Sequence, residues 1–302
     1  NKSSLIALLN IRKIDLLRTM NEAVRSFFTD EKLVQMFNRY ATYNGSNPYQ
    51  IPATFNIITH VENSIGGGYI EGGMYKLVSS LEKLAKKKGV KIYTDSTVEK
   101  INYSSAKISG IKVNGEEILF DIVVSNSDVL NTYDNLLQNS DLKNAKKYKQ
   151  LEPSTSAIVF YWGVKKSTNV PDVHNILFAD DYKKEFDCLS NKKICSDDMT
   201  IYIYISSKFS NDDAPEGFEN WFVMVNAPYD NGQNWNDEVT KVRANIIGKI
   251  NTVFKINFEE KIVFERTMTP EDIMQKTSST NGSIYGISSN DKMAAFFRQT
   301  NK

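Results

Sequence analysis

Histidine and cysteine are scarce: 2 of each in 302 residues. The two histidines, His60 and His174, rule out a histidine-rich metal centre. Neither a C-x-x-C nor an H-E-x-x-H pattern occurs, so no zinc site is expected. Cys188 and Cys195 are too few for a disulfide framework, and free thiols in a reducing cytoplasm are the expected state. An excess of one charge is also lacking: 37 Lys plus Arg stand against 36 Asp plus Glu, a net +1. That balance gives no long-range field toward nucleic acid, and no basic block with interleaved aromatics appears. Nucleic acid is therefore not an expected partner. No run of about 18 uninterrupted apolar residues is present, so no membrane-spanning helix is expected. Arginine is rare, 7 against 30 Lys, while Asn also reaches 30; the skew reads as genome base composition. Asn1 is not an initiator and no signal peptide follows it, so the chain reads as a portion of something longer.

What is present is globular in character. Apolar residues make up 41% and charged residues 24%, near the averages of folded domains. The length suits one large domain or two of ordinary size. Residues 3–28 carry helical spacing through Leu5, Leu8, Leu9, Ile14, Leu17, Met20, Val24 and Phe27. Thr29 and Asp30 can cap a second helix whose stripe is Leu33, Val34, Phe37, Tyr40 and Ala41. Asn44-Gly45-Ser46-Asn47-Pro48 is turn chemistry. A third helix is expected over 53–61 and a strong one from Met74 to Ala85, stopped by Gly89. Strands are expected at 90–93, 97–102, 108–113 and 116–120, the last two flanking the hairpin signal Asn114-Gly115. Ile122-Val123-Val124 reads as a buried parallel strand ending at Ser125-Asn126, and 127–151 as polar helix. Beyond Pro153 come aromatic-rich strands at 155–164, 199–206 and 221–227. A helix over 239–254, a strand at 262–267 and a helix start at Thr269-Pro270 follow. A composition shift near 150 separates an α/β part from a β-rich part.

The glycine cluster Gly66-Gly67-Gly68 and Gly72-Gly73 fails the dinucleotide spacing, and no apolar strand precedes it. Two turns before a helix, or a close backbone approach to a flat ligand, remain as its readings. His60 and Glu62 sit beside it; His60 reads first as structural and second as an acid-base group. Asp30 is a cap first and a cleft carboxylate second. His174 sits in a turn-like loop, expected at the surface. No G-x-S-x-G elbow occurs, and the lysine runs at 86–88 and 146–147 read as solvated helix ends. Leu5 to Leu17 is apolar around more of its circumference than one core face needs. It is either a helix between two layers or an apolar portal at a membrane surface.

Several segments occur together in one order: Phe37 to Tyr49 with Pro52-Ala53-Thr54, Gly67 to Met74, Gly89-Val90, Val98 to Ile101 and Asp121 to Asn126. Tyr161 to Val164, His174 to Ile176, Thr269-Pro270 and Gly282 to Gly286 continue the series. Together they resemble the bacterial phytoene desaturase family of carotenoid dehydrogenases, and the stretch Arg39–Thr54 is specific to it. The wording of Asn44–Pro48 and Glu71–Met74 is similar to the subgroup acting on hydroxylated carotenes. The resemblance implies an FAD-dependent oxidoreductase that desaturates a long apolar carotenoid by hydride transfer to flavin. It implies a mixed α/β fold: an incomplete FAD-binding domain of the glutathione-reductase and amine-oxidase type, an antiparallel-sheet substrate domain and a helical lid. The implied division is 1–60 lid and membrane-facing part, 61–130 FAD-domain remnant, 131–265 substrate domain, and 266–302 return to the FAD domain.

Carried over by position, Gly72 and Gly73 match the turn that brings backbone to the flavin. Val98 matches the position whose backbone reads the adenine, with Thr97 beside it, and Ser125 and Asn126 end the strand next to the cofactor. Glu71 stands where many relatives carry Lys or Arg. A carboxylate taking the proton is expected to be Asp30, with Glu62 the runner-up. The family's opening G-x-G-x-x-G and closing glycine-rich segment are missing, so the chain resembles the family's middle part. A cytoplasmic enzyme touching the inner face of the membrane is implied. Rival readings are a carotenoid isomerase or retinol saturase relative, and a flavin-free lipid-binding or interaction protein.

Overall fold

The structure is a computed structural model and describes residues 15, 17–104, 107–139, 142–167 and 171–291. Most of the expected first helix, including Leu5 to Ile14, lies outside these residues. Contacts divide the chain into two units, residues 60–150 and residues 1–59 with 151–302. One division falls between Gln150 and Leu151, where the composition changes.

In the unit 60–150, the helix Met74–Lys87 ends as its glycine stop requires, with Gly89 at φ 82°. A three-stranded antiparallel meander follows: β1 (Val98–Ser104), β2 (Lys107–Val113) and β3 (Glu116–Leu119). Asn114 and Gly115 both take positive φ, 49° and 85°, as a two-residue turn matched to strand twist demands. Gly110 sits against β3: a Cβ there would meet the Ile118 carbonyl oxygen at 2.1 Å. Two expected strands are absent. Residues 90–93 form none, and 121–124 pair with no described strand, leaving Ile122 and Val124 exposed. A parallel strand is stable only between neighbours that satisfy its backbone, and no described residue offers that pairing. The expected helix over 127–151 is broken into Val129–Asn131, a π-helical turn Thr132–Leu136 and Lys143–Tyr148.

The other unit is built on alternation. β4 (Ser156–Lys165) and β7 (Phe218–Ala227) pair antiparallel, with Trp162 opposite Trp221 and Ile158 opposite Val225. β5 (His174–Leu177), β6 (Ile201–Tyr204) and β8 (Ile262–Met268) complete a sheet in the order β5-β6-β7-β4-β8. One face carries Ile158, Phe160, Trp162, Ile203, Trp221, Val223 and Val225. It packs against the helix Trp235–Phe254 through Val242, Ile246, Ile247 and Ile250. Phe258 closes this core with its ring 5.3 Å from Trp162 and 4.7 Å from Trp221. These large side chains, removed from water, supply most of the sheet's stabilisation.

A smaller cluster joins the helices Met20–Arg25 and Glu31–Asn38 through Met20, Val24, Val34, Ala41, Ile51 and Phe55. Thr19 and Glu22 form a reciprocal capping box at the first of them. The Asn44–Pro48 turn is what ties this cluster to the sheet. Gly45 is left-handed at φ 57°, and its carbonyl accepts from Thr155 N–H at 3.0 Å. Ser46 Oγ accepts from Ser289 N–H at 3.1 Å, and Asn47 Nδ2 donates to Ser190 Oγ at 3.1 Å. The Gly282–Gly286 segment meets the same place, since Ser156 Oγ donates to Gly282 O at 2.6 Å and Ser154 N–H to Gly286 O at 2.7 Å.

Candidate functional site

The sequence candidates for a cofactor all lie in the unit 60–150, Gly72, Gly73, Thr97 and Val98 at the starts of elements and Ser125 and Asn126 in a segment without helix or strand. Gly72 and Gly73 form a turn in which Gly73 N–H donates to Ile70 O at 2.8 Å, with φ near 81° and 82°. A Cβ on Gly73 would meet nothing within 4 Å, whereas one on Gly72 would strike the Lys76 side chain at 2.8 Å. Gly73 is also the N-cap of Met74–Lys87 and supplies no side-chain cap, so backbone N–H groups at that helix start remain available. Open space over a bare backbone fits the close approach of a planar group. Thr97 is exposed and Val98 half-buried at the start of β1. Ser125 Oγ is paired with Thr132 Oγ1 at 2.8 Å, and Asn126 is exposed in the same segment. The cavity on the Met74–Lys87 helix takes in Gly72 but none of the other five.

Asp30 is the N-cap of Glu31–Asn38, where its carboxylate accepts from Lys32 N–H at 2.8 Å and Leu33 N–H at 3.3 Å. Glu62 is exposed on the helix Ile57–Ile65, where His60 Nδ1 meets Ser64 Oγ at 3.2 Å. His174 corrects its sequence reading: it is exposed, but on β5 rather than in a loop. Its ring stacks 4.8 Å from Tyr204, and Nδ1 lies 2.9 Å from Tyr202 OH. A short strand with a polar, turn-rich approach, Pro171-Asp172, has no local signature that separates it from a loop. Cys188 and Cys195 are free and buried; burial pushes the Cys195 thiol well above its ordinary value. No metal-binding group of His, Cys, Asp and Glu occurs among the described residues.

The face of the main sheet turned away from the core is aromatic. Ring pairs run from Tyr161 to Phe222 at 5.6 Å, Phe222 to Tyr202 at 6.3 Å, and Tyr202 to His174 at 6.2 Å. Beside this strip lies a cavity of about 290 Å³. Its apolar walls are Ala157, Ile176, Met224 and Ile284, and polar and aromatic side chains, among them Arg39, Thr155, Ser156, Tyr202, Asn226 and Tyr285, complete the lining. Register explains the set: Ala157 faces Asn226, and Tyr202 faces both Ile176 and Met224, so these side chains share one face. Behind the wall Glu185 is buried and accepts from Thr200 Oγ1 at 2.6 Å. Loss of water raises its carboxyl above the ordinary range, with the Thr200 hydrogen bond and the Arg39 charge acting against the rise. Burial likewise raises Tyr182, and lifts Tyr49 to about 12.

None of these cavity residues was a sequence candidate, although Arg39, Thr42 and Tyr43 stand inside the Phe37–Tyr49 motif and Ile284-Tyr285 inside the Gly282–Gly286 motif. The motifs were the available signal. Their side chains reach one place only through long-range pairing.

A family model described as flavin containing amine oxidoreductase matches residues 12–216, and the chain belongs to that family of oxidoreductases. The 1-hydroxycarotenoid 3,4-desaturase of Flavobacterium sp. (strain P99-3) is 44% identical over 301 residues, 100% of this chain and 61% of the relative. The 4,4'-diapolycopene oxygenase of Methylomonas sp is 32% identical over 281 residues, 92% of this chain and 56% of the relative. Among solved structures, an oxidoreductase from Methanosarcina mazei superposes with a TM-score of 0.60 at 18% identity, covering 87% of this chain and 59% of that one. The chain thus spans about three fifths of the length of the relatives it matches, 61% of the desaturase. The resemblance to carotenoid desaturases is borne out by these relatives, as is the mixed α/β fold with antiparallel sheets.

Proposed function

We propose that the protein is an FAD-dependent carotenoid desaturase that introduces double bonds into a long apolar polyene during carotenoid biosynthesis. The observation that carries this reading is the aromatic strip Tyr161, Phe222, Tyr202 and His174 opening onto an apolar-walled cavity. A polyene offers no charge, so its binding must come from apolar burial, at about 25 cal/mol per Å². FAD, when bound, supplies the two-electron acceptor for the substrate hydride. Gly72 and Gly73 are the residues assigned to the flavin, Thr97 and Val98 to the adenine end, and Ser125 and Asn126 to polar contacts with the cofactor. The chain's own work is to hold the polyene, exclude water from it and take a proton. Asp30 and Glu62 are the carboxylates assigned to that proton. The division into lid, FAD domain and substrate domain belongs to the same proposal.

Contact with the inner face of the membrane is part of this reading, because the substrate dissolves in lipid. No helix of the described residues is long and apolar enough to cross a membrane; the contact is assigned to the apolar segment Leu5–Leu17 with its basic residues Arg12 and Lys13 and the adjoining Arg18. Leu8→Ser with Leu9→Ser is expected to lower liposome co-sedimentation of the full-length enzyme; unchanged co-sedimentation removes the membrane role. Product analysis after feeding full-length enzyme a more saturated carotenoid tests the reaction. More double bonds per molecule support desaturation. An unchanged count points to an isomerase, and added oxygen to an oxygenase such as the Methylomonas relative.

A further inference from the structure

One corner of the main sheet is covered on neither face. β8 stands last in the order β5-β6-β7-β4-β8, so its outer edge meets no described strand. Successive residues of a strand point to opposite faces. At the start of β8, Val263 is nevertheless 51% exposed and its neighbour Phe264 60% exposed. Cations gather around them. Lys165, Lys166 and Lys261 line a cavity of about 440 Å³ in which Glu260 is the one carboxylate. Lys261 immediately precedes β8, and Lys165 ends β4, the strand paired with it. Arg266 follows Phe264 on the same face and lies opposite Tyr161 of the aromatic strip. Glu259 and Glu265, which flank the start of β8, are taken up by Arg243. None of the three lysines, nor Arg266, is ion-paired among the described residues. Four cations therefore face two acids, Glu260 and Glu216, the latter beside the Gly217 carbonyl that accepts from Lys166 N–H at 2.9 Å.

We infer that this corner is a docking surface for an anionic phospholipid bilayer, with Val263 and Phe264 entering the lipid and Lys165, Lys166, Lys261 and Arg266 meeting the headgroup phosphates. A protein resting on one face of the sheet would cover Val263 or Phe264 but not both. A hydrocarbon layer closes around both, and long cationic side chains lay their stems along it while their charges stay in water. Apolar burial and attraction to anionic headgroups then act together. Arg266 also joins the corner to the aromatic strip through Tyr161, so lipid docked there stands at one end of the surface assigned to the polyene. In that respect the inference rests on the carotenoid reading above, and it adds a second lipid contact to that of Leu5–Leu17.

The test is flotation of full-length protein with vesicles of phosphatidylcholine alone and with phosphatidylglycerol added. Changing Lys165, Lys166 and Lys261 together to Gln should weaken binding to the anionic vesicles on the order of a hundredfold, roughly fivefold for each lysine. The Lys165→Gln and Lys166→Gln pair alone should lose roughly twenty-fivefold. Phe264→Ser should weaken binding to both kinds of vesicle. The Leu5–Leu17 segment is intact in every variant, so the losses belong to this corner. Unchanged affinity of the lysine variants for anionic vesicles overturns the inference. So does a smaller oligomer in Phe264→Ser with vesicle binding unchanged, which assigns the corner to another protein chain. The vesicles hold no carotenoid, so failure here leaves the desaturase reading standing, and failure of the product assay leaves the lipid contact standing.

Discussion

Gly45→Ala tests how the Asn44–Pro48 motif holds the cavity together. Gly45 sits at φ +57°, and a Cβ there would lie 2.7 Å from Tyr285 Cδ2, 3.0 Å from Ser154 Cβ and 3.1 Å from Thr155 Oγ1. The left-handed backbone alone costs a side chain about 1 to 2 kcal/mol. Overpacking against a ring and a backbone-anchored Cβ adds about 1 to 3 kcal/mol. A total of about 2 to 5 kcal/mol follows, a large share of a domain's net stability. The control is Gly217→Ala in the same unit, where φ is +81° and nothing lies within 4 Å of the added Cβ. It should cost the backbone term alone, about 1 to 2 kcal/mol. Urea unfolding of both variants in the full-length chain measures the difference. Because Tyr285 borders the cavity, Gly45→Ala should also weaken carotenoid binding while Gly217→Ala should not. Equal destabilisation by the two substitutions would refute the argument that the motif is a packing junction.

Three further outcomes follow from the same geometry. Glu185, with a carboxyl raised by burial, favours the folded state while protonated. That contribution is complete below its unfolded value and is lost as pH rises through the folded one. Glu185→Gln should therefore flatten the loss of stability above about pH 4.5, and a variant less stable than wild type at neutral pH would contradict this. Asp30→Asn keeps a good N-cap, whereas Asp30→Ala loses about 1 kcal/mol; turnover that falls in both variants supports the proton role, and turnover that falls only with stability assigns Asp30 to capping. Gly73→Ala should lower flavin content of the full-length enzyme at a stability cost of about 1 to 3 kcal/mol from its glycine-only backbone conformation, because its Cβ meets no protein atom; full flavin occupancy would remove the turn from the cofactor site.

Where signals were local, the sequence was readable. Asn114-Gly115 places the β2–β3 turn, and Thr269-Pro270 begins a helix whose capping box joins Thr269 and Asp272. Alternating aromatics mark β4 and β7. Ile122-Val123-Val124 misled because an apolar run specifies a strand only when neighbours pair with it. The lysine- and asparagine-rich stretch 127–151 misled because helical polarity does not reveal a π-helical turn. The cavity was hidden for a different reason. Arg39, Ala157, Tyr202, Asn226 and Tyr285 meet through sheet register and the Gly45 junction, and periodicity within a short window carries no such information. The motif residues flagged the region without disclosing that Gly45 packs a joint while Arg39 lines a wall.

Hydride removal from a carotenoid to FAD is the step proposed for the full-length enzyme. The most direct measurement is an anaerobic single turnover of the flavin-loaded full-length enzyme with a bound carotenoid, following flavin absorption and polyene absorption together. One flavin is expected to bleach for each double bond formed. Double bonds appearing while the flavin stays oxidised, or at equal rate in flavin-free protein, would contradict it.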